Sequence, residues 1–135
     1  MNEHVSASHD DQTPETYLGD TRAERFSKMV PESGLPLNHW SRTGKWTSDA
    51  QRIISMSADD VLLIHFNAQK VFLVMGSSTG KPMNVSLTLN GKPLKDITVD
   101  KHTLYQLLDL NEFQSGILEI KANAAGLECY AFTFG

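Results

Sequence analysis

The chain has 135 residues, a formal net charge of −4 and an isoelectric point near 5.7. Binding to nucleic acid or to an anionic membrane surface needs a clustered basic surface, so this acidic balance argues against both partners. With 40% hydrophobic and 21% charged residues, the chain is large enough to bury one core without disulfides or bound metal.

The cysteine content and the N-terminus set further limits. Cys129 is the only cysteine, so no intrachain disulfide can form, and the apolar run around it predicts a buried, inert thiol. No apolar run approaches the roughly 20 residues that span a bilayer, and the polar, acidic N-terminus lacks the pattern of a signal peptide. We therefore expect no membrane insertion by this chain.

The N-terminal part of the chain divides into a tail and the beginning of a domain. Residues 1–14 are rich in Ser, His, Asp and Gln without an apolar period, which predicts a flexible tail or interdomain linker. Residues 15–135 are predicted to form one β-sandwich domain. Within it, residues 16–26 favour a short strand or turn, and residues 30–36, with two prolines and a glycine, favour an irregular loop.

Strand patterns are dense in the middle of the chain. Residues 61–67 and 70–75 are two apolar runs separated by Asn67-Ala68-Gln69, which predicts a hairpin. In residues 83–90 apolar side chains alternate strictly with polar ones, as a half-buried strand requires. The two residues that end this strand and follow it, Asn90 and Gly91, favour a turn.

Asn90-Gly91 tolerates positive φ at both positions, which predicts a tight antiparallel turn into a strand at residues 93–99. Further strands are predicted at residues 102–108, 116–122 and 127–134. In the last of these, simple alternation places Tyr130, Phe132 and Phe134 on one face. No segment has a convincing helical period, so the predicted fold is all-β, an antiparallel two-sheet β-sandwich.

The sequence offers little for catalysis. It has no phosphate-binding glycine pattern, no metal-ligand motif and no G-x-S-x-G element, so we predict no cofactor, no metal, no catalytic residues and no enzyme activity. The adjacent carboxylates Asp59 and Asp60 would point in opposite directions in an extended chain. They are interpreted as a polar loop between two strands.

The segment from Leu35 to Trp46 is the strongest candidate for ligand binding. An aromatic ring at Trp40 could stack on a sugar, with Asn38 and His39 supplying hydrogen bonds to hydroxyls. The alternative is that Trp40 lies in the core, a reading left open here, whereas Trp46 is assigned to the core.

Two residues outside this segment, Arg22 and Tyr105, are possible contributors to the same ligand-binding site. Tyr105 and Tyr130 could each be either a core residue or a ligand contact. Arg22 and Arg25 could bind a polar ligand with their donor forks or form ion pairs with Glu15 and Glu24, and the ion pairs are the favoured interpretation.

Several stretches resemble the C-terminal domain of DipZ-type, thioredoxin-like thiol-disulfide proteins, over about residues 13–135. The stretches are Glu15-Thr16-Tyr17-Leu18-Gly19, Arg22-Ala23-Glu24-Arg25-Phe26, Leu37-Asn38-His39-Trp40, Gly44-Lys45-Trp46, Leu104-Tyr105-Gln106-Leu107 and Tyr130-Ala131-Phe132-Thr133-Phe134-Gly135. The resemblance implies a jelly roll like that of carbohydrate-binding modules and a periplasmic or otherwise extracytoplasmic setting, beside disulfide chemistry or cytochrome c maturation.

The family's thioredoxin domain and its C-x-x-C are absent from this sequence, so redox activity is not carried over. The predicted function is a non-catalytic, carbohydrate-binding-like accessory module that binds a glycan or another polyhydroxyl ligand. The alternative is a docking domain that packs against a thioredoxin-like domain or a client protein, with Tyr17, Phe26 and Trp40 as an apolar patch. A third possibility is a structural spacer without a ligand, which predicts that both tryptophans are buried.

Overall fold

The computed structural model describes residues 11–28 and 34–135, which form an all-β, antiparallel sandwich without a helix. Most of the predicted tail and of the predicted loop at residues 30–36 lies outside the described residues. The strands are β1 Thr16–Tyr17, β2 Trp40–Thr43, β3 Thr47–Ser48, β4 Ile53–Ile54, β5 Val61–Ser77, β6 Met83–Leu89, β7 Lys92–Pro93, β8 Ile97–Val99, β9 Thr103–Ala122 and β10 Leu127–Phe134.

The long strands β5 and β9 pair along most of their length and connect the two layers of the sandwich. The first half of β5 pairs with β2, whereas its second half pairs with β10. On the far side, β9 pairs through its C-terminal end with β6, which in turn pairs with β7 and β8. The strands β1 and β4 both add to β10, so β10 has neighbours on both sides.

The predicted hairpin at Asn67-Ala68-Gln69 is wrong, because the chain runs straight through these residues as one strand. The register with β9 shifts between Ala68 and Lys70. Buried residues occupy even positions up to Ala68 and odd positions from Val71. Ala68 pairs with Gln114 and Lys70 pairs with Asp109, so the ladder is interrupted here, and the parity of β5 reverses across the interruption. Both halves of the strand therefore face the core.

Strand β9 replaces two predicted strands, at residues 102–108 and 116–122. It is continuous from Thr103 to Ala122, with irregular pairing around residues 109–114. A second register shift leaves Leu107 without a partner on β5 and buries both Leu107 and Leu108. This bulge allows two consecutive apolar residues of β9 to be buried.

The predicted turn at Asn90-Gly91 is confirmed: both residues have positive φ, 51° and 83°, and Leu89 pairs with Lys92 across the turn. The single strand predicted at residues 93–99 is wrong. Two short strands, β7 and β8, pair separately with β6. After Pro93 the Leu94 N–H still donates to the Leu87 carbonyl at 2.8 Å, and strand pairing with β6 resumes at β8.

The core is formed by apolar side chains of both layers and includes both tryptophans, Phe66 and Phe132. Trp46 is buried as predicted, and its indole N–H donates to the Val61 carbonyl at 3.1 Å. Cys129 is also buried, as predicted, and burial together with the charge of Glu128 raises the pKa of its thiol well above the usual range.

Thr13 belongs to the packed part of the chain, although the predicted domain begins at residue 15. It is buried, and its N–H donates to the Asn67 carbonyl at 3.0 Å. The Asn67 N–H donates in turn to the Thr13 hydroxyl at 2.7 Å. The ordered contacts therefore begin before Glu15. Among residues 11–28 and 34–135 there is no helix long and apolar enough to cross a membrane.

Candidate ligand-binding site

Trp40, the centre of the predicted site, is a core residue. Only 2% of its surface is exposed, and its ring packs against Phe26 with centroids 4.5 Å apart. The indole N–H donates to the Glu24 carbonyl at 3.0 Å. The ring faces are therefore covered by protein, and the prediction that Trp40 stacks on a ligand is corrected to its alternative, a structural role.

Asn38 and His39 join neighbouring segments of the chain. Asn38 has a positive φ of 71°, and its side-chain oxygen accepts from the Thr13 hydroxyl at 2.7 Å. The His39 Nδ1 lies 3.0 Å from the Ser27 hydroxyl oxygen. Both side chains are half-buried and already hydrogen-bonded within the fold, so they stabilise this end of the sandwich.

Tyr105 anchors the turn before β9 and does not border the cleft described below. Its hydroxyl donates to the Lys101 carbonyl at 2.6 Å and accepts from the Asp100 N–H at 3.1 Å. Partial burial raises the pKa of this phenol. Because the hydroxyl is already hydrogen-bonded within the turn, a structural role fits Tyr105 better than ligand binding does.

Arg22 is the one predicted site residue that borders a cleft. Its guanidinium carbon lies 3.7 Å from the centroid of the Tyr17 ring. Arg25 instead forms the predicted ion pair, at 3.0 Å from Glu24, and its other nitrogens donate to backbone and hydroxyl oxygens. The two arginines therefore have different roles: Arg25 holds the β1 segment against the Asn38 turn, while Arg22 covers an aromatic ring.

The cleft lies on the outer face of β10 and β5, opposite the core, and has a volume of about 500 Å³. We call it the tyrosine cleft, after the two tyrosines in its wall. It is lined by Glu15, Tyr17, Gly19, Thr21, Arg22, Ala50, Gln51, Val74, Tyr130 and Ala131. Carbon atoms dominate its surface, with an arginine, a glutamine and a carboxylate among the polar groups, which is the composition expected of a small-molecule or glycan site.

A bulge in β10 directs Tyr130 into the cleft. Cys129 pairs with Met75 and Ala131 pairs with Val74, so Tyr130 has no partner on β5. Alternation alone would have placed Tyr130 on the core face with Phe132, and this prediction is wrong. The extra residue lets Cys129 and Phe132 both face the core while Tyr130 points outwards.

The Tyr130 ring is held in position by neighbouring polar side chains. Arg52 donates from Nη1 to the Tyr130 hydroxyl at 3.1 Å, and the His102 ring meets the tyrosine edge-on at a centroid distance of 5.9 Å. The buried carboxylate of Glu128 contacts both Arg52 and His102. The hydrogen bond to Tyr130 and the charge of Glu128 raise the pKa of Arg52, so it stays cationic.

Gly19 and Gly76 allow the close packing around the cleft. A Cβ at Gly19 would lie 2.2 Å from the backbone carbon of Gln51, and a Cβ at Gly76 would lie 2.4 Å from the His102 ring. The first glycine brings the β1 segment against the cleft wall. The second lets His102 lie flat across β5 and reach Glu128.

No group of three or more His, Cys, Asp or Glu side chains in the described part of the chain could hold a metal ion. Asp60, in the predicted polar loop, is fully buried and accepts hydrogen bonds from the backbone of Lys45, Met56 and Ser57. Burial raises the pKa of Asp60, but these bonds outweigh it and hold the pKa below its usual value. Asp60 therefore has a structural role.

The fold and the cleft together define an all-β sandwich domain with an open, tyrosine-lined cleft on its outer face. The chain belongs to the thioredoxin-like C-terminal domain family, whose model matches residues 13–135. The family-level part of the predicted resemblance is confirmed. None of the curated proteins has a sequence that matches this chain.

Solved structures with a similar fold include carbohydrate esterases. A family two esterase from Clostridium thermocellum, described in complex with cellohexaose, superposes with a TM-score of 0.63 at 16% identity, over 71% of this chain and 31% of that chain. The family two esterase from Cellvibrio japonicus gives a TM-score of 0.63 at 16% identity, over 71% and 30%. This chain therefore spans under a third of either esterase, and the likeness shows the β-sandwich fold.

Of the five predicted site residues, the structure places only Arg22 in the tyrosine cleft. Trp40, Asn38 and His39 lie together at the start of β2, and Tyr105 lies at the start of β9. Tyr17 and Tyr130, which line the cleft, are not among these five: the sequence predicts Tyr17 as part of a docking patch and leaves Tyr130 open between core and ligand contact. The sequence does contain a signal for Tyr130. In a buried strand, Cys129 and Phe132 can both face the core only if a bulge lies between them, and the bulge turns the hydroxyl-bearing ring of Tyr130 outwards.

Proposed function

We propose that this domain is a non-catalytic carbohydrate-binding module of an extracytoplasmic protein, and that the glycan lies in the tyrosine cleft. The observation that carries the proposal is the pair Tyr17 and Tyr130, two half-buried rings that border one open cleft on the outer face of the sandwich. Arg22 and Gln51 lie beside them and can donate hydrogen bonds to hydroxyl groups.

The chemistry of the cleft suits a sugar. A pyranose ring has an apolar C–H face that packs on an aromatic ring and hydroxyls that need directional hydrogen bonds. The cleft is already formed: the Tyr17 hydroxyl donates to Glu15 at 2.9 Å, and the Tyr130 hydroxyl accepts from Arg52. Rings fixed in this way lose little conformational entropy on binding, which favours affinity.

The relatives support the setting of the proposal. The family description associates such domains with the C-terminal end of thioredoxin-like proteins, and one structural neighbour is described in complex with cellohexaose. The resemblance to DipZ-type proteins supports an extracytoplasmic location near disulfide chemistry. The buried thiol of Cys129 supplies no redox chemistry of its own, so that chemistry would belong to a neighbouring thioredoxin-like domain.

The proposal is tested by calorimetric and amide NMR titration of the domain with cellohexaose and a panel of bacterial cell-wall and surface glycans. We expect saturable binding with shifts around the tyrosine cleft, weakened about tenfold by Tyr130→Ala or Tyr17→Ala. Tyr105→Ala is the matched control, since it removes a tyrosine outside the cleft. Absence of saturable binding across the panel, or equal loss in Tyr105→Ala, contradicts the proposal.

A second candidate function is docking against a thioredoxin-like domain. It is favoured by Phe26 and Leu37, which are 37% and 45% exposed and flank the start of β2. Trp40 lies beneath Phe26 and does not contribute a surface. Docking predicts that a thioredoxin-like domain added in trans shifts the amides around Phe26, that Phe26→Ser abolishes those shifts, and that Tyr130→Ala leaves them unchanged.

A further inference from the structure

We infer that the tyrosine cleft selects a sugar that carries a single carboxylate, such as a uronic acid, and that Arg22 binds this carboxylate. The inference rests on the proposed function and names the ligand class for the same cleft. It is carried by the position of the Arg22 guanidinium, which lies over the Tyr17 ring and has no anionic partner in the part of the chain that the structure describes.

The other arginines near the cleft are already paired. Arg25 pairs with Glu24 at 3.0 Å, and Arg52 pairs with Asp49 at 3.0 Å. Within residues 11–28 and 34–135, Arg22 has neither an ion pair nor a side-chain hydrogen bond. It is therefore the cleft's available cation.

The contact with Tyr17 orients this cation for binding. The guanidinium carbon stands 3.7 Å from the ring centroid, so one face of the group is covered by the phenol. The N–H groups point outwards in the plane of the guanidinium, and stacking leaves them free. Two parallel N–H donors match the two oxygens of a carboxylate, which gives a bidentate pair.

The remaining charges favour a single negative charge over a dense polyanion. Glu15 also lines the cleft, where its carboxylate accepts from the Tyr17 hydroxyl at 2.9 Å. The whole chain has a net charge of −4. A sulfated or phosphorylated polymer would be repelled by both, whereas one carboxylate is balanced by Arg22 alone.

The space around Arg22 accommodates a chain of sugars. A second cavity of about 310 Å³ adjoins the tyrosine cleft and shares Glu15, Tyr17, Thr21 and Arg22 with it. This second cavity extends to Glu24 and Arg25 and is mostly polar. Arg22 thus stands between an aromatic compartment and a polar one, so an acidic sugar at Arg22 has room for neighbouring sugar units on both sides.

The test compares a cello-oligosaccharide that ends in one glucuronic acid with its methyl ester, which has the same shape without the charge. By calorimetry of the purified domain, we expect the acid to bind about 3- to 10-fold more tightly than the ester. Arg22→Gln should remove this preference. Arg42→Gln is the matched control, because Arg42 also lies over an aromatic ring, Phe26 at 5.5 Å, but does not line the cleft.

The outcomes separate this inference from the proposed function. Equal affinity for acid and ester, with binding still lost in Tyr130→Ala, overturns the carboxylate inference and leaves glycan binding in the cleft standing. A preference that survives Arg22→Gln, or that Arg42→Gln removes equally, also overturns it. Failure of both the acid and the ester to bind overturns it too, while the neutral glycan panel decides the proposed function independently.

Discussion

Asp60 offers the sharpest test of how the loops beside the sandwich are held. Its Oδ1 accepts from the Lys45 N–H at 2.7 Å and from the Ser57 hydroxyl, and its Oδ2 accepts from the Met56 and Ser57 N–H groups at 2.7 and 3.2 Å. The carboxylate thereby joins the loop after β2 to the turn before β5. The change Asp60→Asn keeps the volume but replaces one acceptor oxygen with a donor.

In Asp60→Asn, the new NH₂ group faces N–H or O–H donors whichever way the amide is oriented. Two hydrogen bonds to a charged acceptor are lost, and at least one buried donor is left without a partner. At about 1 kcal/mol for each of the two bonds and about 1–2 kcal/mol for the unpaired donor, the free energy of unfolding should fall by about 3–4 kcal/mol. Urea denaturation should show this as a lower midpoint with an unchanged slope.

Asp59→Asn is the matched control. Asp59 is the neighbouring carboxylate, but it is exposed, and it forms a solvent-exposed ion pair with Lys121 at 3.4 Å. It should change the unfolding free energy by less than about 0.5 kcal/mol. The pKa of Asp60 is lowered in the folded state, so ionised Asp60 stabilises the fold above pH 3.8, the ordinary value for this group. This stabilisation is lost as the pH falls from 3.8 through the lower pKa of the folded state. A loss under about 1 kcal/mol in Asp60→Asn would refute the reasoning.

Three further predictions concern the core and the cleft wall. Cys129 should react with a thiol reagent only as fast as the whole domain unfolds, because the thiol is buried. The labelling rate is compared with the unfolding rate measured in urea, and fast labelling of the folded protein would contradict the burial of Cys129. Gly19→Ala should lower stability by about 2 kcal/mol in thermal denaturation because the new methyl collides with the Gln51 backbone. Trp40→Phe should cost about 1–2 kcal/mol by the same measurement, through lost packing and the lost bond to Glu24, and a neutral effect would argue against its core placement.

The fold class could be predicted because it depends on local patterns that survive in the structure. The strict alternation that led to β6 and the Asn90-Gly91 turn are properties of a few consecutive residues, and both are present in the fold. The hairpin at Asn67-Ala68-Gln69 failed for the opposite reason. A break in alternation marks either a turn or a bulge, and only the partner strand β9 decides between them.

The site was less predictable because burial of a particular aromatic depends on the far side of the fold. Trp40 and Tyr130 are both aromatic residues among mixed neighbours, and the sequence alone does not separate them. Trp40 is covered because Phe26 and the Glu24 carbonyl reach it from a segment about 15 residues earlier. Arg22 was identified through its chemistry, whereas its position over Tyr17 required the structure.

One inserted residue in β10 connects the fold to the proposed function. Without the bulge at Tyr130, a regular strand that buries Cys129 would expose Phe132, and a regular strand that buries Phe132 would bury Tyr130 as well. The bulge keeps Cys129 and Phe132 in the core and leaves Tyr130 on the open face, where Arg52, Glu128 and His102 hold it. The residue that breaks the strand pattern, Tyr130, is therefore one that lines the cleft, and the irregular pairing in β10 points to this cleft better than the tryptophan-rich segment does.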